Sequence, residues 1–68
     1  MTLTEKINLR VRVLRDDIRR KNVEIEVLFK DKTVPKEMIE KVIVERNDMI
    51  LERESREAAF DALQAVGR

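Results

Sequence analysis

Six of the twelve residues from position 10 to position 21 are basic: Arg10, Arg12, Arg15, Arg19, Arg20 and Lys21. On a helix, Arg12, Arg15 and Arg19 fall on one face at the i, i+3, i+7 spacing that tracks a phosphate backbone, with Arg20 beside them. Asp16 and Asp17 interrupt this run, Glu26 continues the same face, and no aromatic side chain is interleaved to stack on a base. The carboxylates are the other groups with chemistry to offer, and in principle they bind a cation. Here they alternate with bases, the pattern of a solvated helix surface carrying i,i+4 and interhelical ion pairs. The chain has no His and no Cys, so thiol chemistry and a Zn site of the usual Cys/His kind are excluded. It has no Gly-rich loop, and acid–base or nucleophilic catalysis needs a positioned set of groups in a pocket. The expectation is a non-enzymatic protein with no cofactor, no metal and no small-molecule substrate.

The elements that position these groups are organised around Asp31-Lys32-Thr33-Val34-Pro35, close to the midpoint. Pro35 restricts Val34 to extended geometry and suits the first turn of a new helix. Thr33 is the expected N-cap of that helix, with Val34, Pro35 and Lys36 as its first turn. Segments of similar length flank this point, which predicts a helix over 3–31, a turn over 31–35 and a helix over 34–66. Thr2 and Glu5 have capping-box spacing for the first helix, with Thr4 an alternative cap, and Gly67 is the natural stop for the second.

Two periodicities compete over residues 7–29. The helical one runs through Thr4, Ile7, Val11, Leu14, Ile18, Lys21, Ile25 and Leu28, spaced alternately three and four apart. The strand one alternates apolar and polar residues over 7–13 and 23–29, where Arg10 and Arg12 would face Glu24 and Glu26. The helix is preferred because residues 15–22, the turn of such a β-hairpin, contain no Gly or Pro and carry Ile18 in seam register. A lone two-stranded hairpin would also leave one face uncovered.

The second half is helical by pattern, with a seam of Ile39, Val42, Arg46, Met49, Arg53, Arg56, Phe60 and Leu63, and with Met38, Ile43 and Ile50 widening it into a core face. Folding back about residues 33–34 brings together residues whose numbers add to about 67. Leu28 then meets Ile39, Ile25 meets Val42, Ile18 meets Met49 and Ile7 meets Phe60. Lys21 or Asn22 meets Arg46 in a polar layer, and Arg53 and Arg56 lie beside Leu14 and Val11. Arginines on an apolar face must pair with carboxylates such as Asp17, Glu52 or Glu57, reach the edge, or serve a partner.

Leu9, Val13, Val23 and Val27 gather on the opposite side of the first helix, with Val44, Leu51 and Val66 as their counterpart on the second. One hairpin cannot bury them all, so they are the candidate protein interface. Sixty-eight residues without a disulfide or metal commonly gain burial by self-association. Ala, Glu, Lys, Leu and Arg fill half of the chain, the composition of long helices and coiled coils. The fold class expected is therefore all-α: one antiparallel helical-hairpin domain over 1–68, self-associating as a dimer into a four-helix bundle or coiled coil. Its net charge of +1 is too balanced for a general polyanion binder, and charges interrupt every apolar run before signal-peptide or membrane-span length. A cytoplasmic interaction or regulatory module that docks a partner protein, with no membrane, is the expected function.

Ile7-Asn8-Leu9-Arg10-Val11-Arg12-Val13 followed by Thr33-Val34-Pro35-Lys36-Glu37-Met38-Ile39 resembles the start of a ribbon–helix–helix repressor. That resemblance implies a strand paired across a dimer in the DNA major groove and a second helix begun at a Ser/Thr-Val type cap. The chain departs from that family in its β-branched intervening segment, its missing Gly turn and its longer C-terminal helix. In architecture alone the hairpin is similar to dimeric four-helix-bundle RNA-binding regulators of the Rop type. Both resemblances imply a nucleic-acid partner but assign it no residue of this chain; the alternative site is the basic run's own face, Arg12, Arg15, Arg19 and Arg20.

Overall fold

The computed structural model describes residues 1–66; the stop expected at Gly67 lies outside the described residues. Helix α1 spans Leu3–Lys30 and helix α2 spans Lys36–Val66, packed antiparallel as a hairpin. Residues 7–29 are helical throughout. This removes the strand reading, and with it the strand on which the ribbon–helix–helix resemblance depends. The three-four spacing prevails because it gathers Ile7, Val11, Leu14, Ile18 and Ile25 into one buried line, whereas alternation would split them between two faces.

Thr2 caps α1 in extended geometry, its Oγ1 accepting from the Glu5 N–H at 3.1 Å. The other end closes at Asp31, whose N–H donates to the Leu28 carbonyl at 3.3 Å. The turn differs from expectation in its use of Thr33. Both the N–H and the hydroxyl of Thr33 donate to Asp31 Oδ1, at 2.9 and 2.6 Å, and the Val34 N–H donates to the Asp31 carbonyl at 3.3 Å. Thr33 therefore serves the end of α1, and the Pro35 carbonyl accepts the first bonds of α2, from Met38 at 3.1 Å and Ile39 at 3.4 Å. The second helix starts at Lys36, two residues later than expected, because Pro35 holds Val34 out of helical geometry.

The dry core is narrow and uneven. Five of its seven buried side chains come from α1 (Leu14 is only 2% exposed), and α2 adds Ile39 and Val42. Beyond Val42 the seam of α2 is half-buried: Met49 and Phe60 alternate with Arg46, Arg53 and Arg56. Met38, expected in the core, is exposed, because it lies about 100° round the helix from Ile39. The result is a rod of 54 × 16 × 14 Å with a radius of gyration of 15.7 Å. A compact chain of this length would have about 11 Å.

Candidate interaction surface

The hairpin is laced by polar pairs that confirm the expected register. Arg10 Nε donates to Glu52 at 3.1 Å, Arg15 donates to Glu57 at 2.9 Å and Lys21 Nζ to Glu45 at 2.8 Å. The mid-seam polar layer forms as expected, with Arg46 donating to Asn22 Oδ1 at 3.1 Å and to Asn47 Oδ1 at 3.1 Å. Arg53 and Arg56 approach Glu57 and Glu52 at 3.9 and 3.7 Å, the carboxylates already held by Arg15 and Arg10. The Nε atoms of Arg46, Arg53 and Arg56 are buried with no hydrogen-bond acceptor among the described residues. Between Val11 and Phe60, the Arg15–Glu57 pair borders a groove of about 280 Å³ that Asn8 and Asp61 also line.

Lys21 also approaches Glu24 at 3.6 Å. The Glu45 hydrogen bond is the main cause raising the lysine's pKa above 10.5, and the same bond is the main cause lowering Glu45 below 4.5. The Asp31 carboxyl is lowered below 3.8 by the Thr33 hydroxyl first and its backbone N–H second. A depressed carboxylate stabilises the fold above its unfolded pKa and loses that contribution as pH falls through its folded pKa. The raised lysine contributes below 10.5 and loses its contribution as pH rises through its higher folded value. Wild type is therefore expected to melt above Glu45→Gln between pH 4.5 and 10.5, with the gap closing on the acid side. Thermal melts of both proteins across that range check this, and a gap independent of pH would refute it.

The four arginines proposed for nucleic acid do not share one environment. Arg15 is committed to Glu57, and among the described residues Arg20 reaches only Asp17, at 4.0 Å, with its side chain 82% exposed. Arg12 and Arg19 are exposed and make no ion pair among the described residues.

Leu9, Val13, Val23 and Val27, from 41 to 60% exposed, lie along the side of α1 turned away from α2. Val44 and Leu51 lie on the outward side of α2, and Val66 is exposed at its end. Reading the sequence missed Phe29, Leu3 and Met1, also exposed. Phe29 follows Leu28, the last residue of the α1 seam, and stands exposed in the last turn of α1.

Among the described residues, no group of three or more Asp or Glu is placed to hold a metal ion, and no helix is long and apolar enough to cross a membrane. No family model, curated protein or solved structure matches the chain.

Proposed function

We propose that this chain is a small non-enzymatic docking protein, which self-associates and presents a helical face to a partner protein. The observation that carries this reading is the set of large apolar side chains left in solvent once the hairpin has closed: Leu9, Val13, Val23 and Val27 on α1, and Val44, Leu51 and Val66 on α2. The accessible surface of 5511 Å² exceeds that of a globular monomer of this mass, for which about 4,500 Å² is expected. Two helices meet along one line, so each keeps an outward face, and here both outward faces are partly apolar. Two stripes on opposite sides suit two neighbours: a second copy, giving a four-helix assembly, and a partner protein.

A second reading takes nucleic acid as the partner, through Arg12, Arg15, Arg19 and Arg20. It is favoured by one observation: Arg12 and Arg19 are exposed and make no ion pair among the described residues. The two readings part in their response to salt, because phosphate contacts release counterions and weaken steeply as salt rises, whereas apolar docking does not. A tagged pull-down from lysate of the source cell, with and without nuclease, separates them. The docking reading expects a discrete protein partner that survives nuclease and high salt and is lost with Leu51→Asp. Recovery of nucleic acid, with all protein bands lost to nuclease, would overturn it in favour of the arginine face.

A further inference from the structure

The outward side of α1 is more than an apolar stripe. Leu9, Val13, Asp16, Arg20, Val23 and Val27 follow one another at intervals of four, three, four, three and four, a second heptad seam on the side opposite the buried one. All six are exposed. The seam is also self-complementary when reversed. In an antiparallel pairing centred on Ile18, Leu9 meets Val27, Val13 meets Val23 and Asp16 meets Arg20, and each contact occurs twice.

From this we propose that the occupant of the α1 seam is a second copy of this chain, docked antiparallel about a twofold axis beside Ile18. The proposal deepens the docking reading and rests on it. Charge decides the orientation. In a parallel pairing Asp16 would face its own counterpart and Arg20 likewise, placing like charges at the most desolvated positions of the contact. The antiparallel pairing converts both into ion pairs at the centre, flanked on each side by two apolar layers. Rim charges pull the other way but more weakly: Arg12 finds a carboxylate in either orientation (Glu26 when antiparallel, Asp17 when parallel), whereas Arg19 meets Glu24 only when parallel. The unfavourable contacts of the antiparallel form lie on the rim, where Arg19 and Asp17 each approach their own counterparts. At the ends Lys6 meets Lys30, which delimits the seam to these six positions. Water screens all of these.

Because the seam lies opposite the face that packs on α2, the product is an open layer of four helices, α2·α1·α1′·α2′, rather than a closed square bundle. The outward side of α2, with Val44 and Leu51, stays free on both edges of the layer for the partner protein.

Sedimentation equilibrium of the full chain, combined with two sets of variants, tests the assignment. Asp16→Arg alone and Arg20→Asp alone are each expected to raise the dimer dissociation constant by about tenfold or more, as two like-charge contacts replace two attractive ones. The double swap D16R/R20D is expected to restore it, and circular dichroism checks that each variant keeps its helices. Since the chain has no cysteine, single cysteine variants report orientation cleanly. A mixture of Val13→Cys and Val23→Cys proteins under mild oxidant is expected to form the mixed disulfide. Val13→Cys alone should not cross-link, its two copies lying about 15 Å apart along the helices.

A dimer insensitive to the charge swaps, or efficient cross-linking of Val13→Cys alone, would overturn the assignment. So would a chain that stays monomeric at millimolar concentration. A monomer that still retains a nuclease-resistant protein partner would defeat the second copy and leave the docking reading standing. A monomer that retains none would remove both.

Discussion

Leu14→Ala is expected to destabilise the hairpin by about 3 kcal/mol, the transfer term for a buried leucine plus the cavity left behind. Among the described residues Leu14 is the most enclosed, at 2% exposure, and it sits in the middle of a core of seven residues. A chain of this length has a total stability of roughly 3–10 kcal/mol. The variant should therefore melt about 15 °C or more below wild type, at 4–8 °C per kcal/mol for a domain of this size. In dilute solution its helical circular dichroism should be much reduced at ambient temperature. The neighbouring Val13→Ala supplies the contrast. Its side chain is 41% exposed on the far side of α1, so its effect on the dilute chain should stay within about 0.5 kcal/mol. At high concentration that effect should grow if the α1 seam holds a second copy. Urea titrations at two protein concentrations measure both variants. Equal effects from the two substitutions in dilute solution would mean that the buried seam is not where the structure places it.

What the sequence made legible was whatever depends on periodicity. The line from Ile7 to Ile25, the reversal before Pro35 and the register that brings Lys21 to Glu45 and Asn22 to Arg46 all follow from three-four spacing and the length of each half. What it hid depends on competition between neighbours. Thr33 has the residue type and position of an N-cap, but Asp31 two residues earlier offers a carboxylate that takes both its hydroxyl and its N–H. Met38 and Phe29 are apolar and adjoin the seam residues Ile39 and Leu28, but each points about 100° round the helix from that neighbour and stays exposed. The strand alternation over 7–13 and 23–29 was a by-product of carrying two apolar stripes on one helix. Every second residue then tends to be apolar, because the stripes lie on opposite sides. The α1 stripe was legible as an apolar set, but the place of Asp16 and Arg20 within it became informative only once the helix, and the side occupied by α2, were fixed.

The second large effect concerns the arginines of the α2 seam, and it runs towards greater stability. Replacing Arg53 and Arg56 together by leucine is expected to stabilise the hairpin by about 2 kcal/mol, roughly 1 kcal/mol at each site. Both Nε–H groups are buried without an acceptor among the described residues, and the carboxylates paired with them stand at 3.9 and 3.7 Å, beyond hydrogen-bond reach. An orphaned buried donor forfeits its hydration and gains nothing in exchange, whereas leucine would add apolar surface to the α2 seam between Met49 and Phe60. The loss to set against this is small. Exposed ion pairs contribute about 0–1 kcal/mol, and Glu52 and Glu57 keep their shorter bonds to Arg10 and Arg15. Arg46 differs because its terminal nitrogens reach Asn22 and Asn47, so Arg46→Leu strands those amides and should bring little or no gain. Thermal melting of R53L/R56L should show a rise of about 10 °C. A fall would mean that the shared Arg–Glu network, rather than apolar contact, holds the far half of the hairpin together. A rise would mean that hairpin stability does not account for these two arginines. Their guanidinium groups, partly in solvent beside the Arg10 and Arg15 pairs, would then be the first place to look for contacts made with a partner.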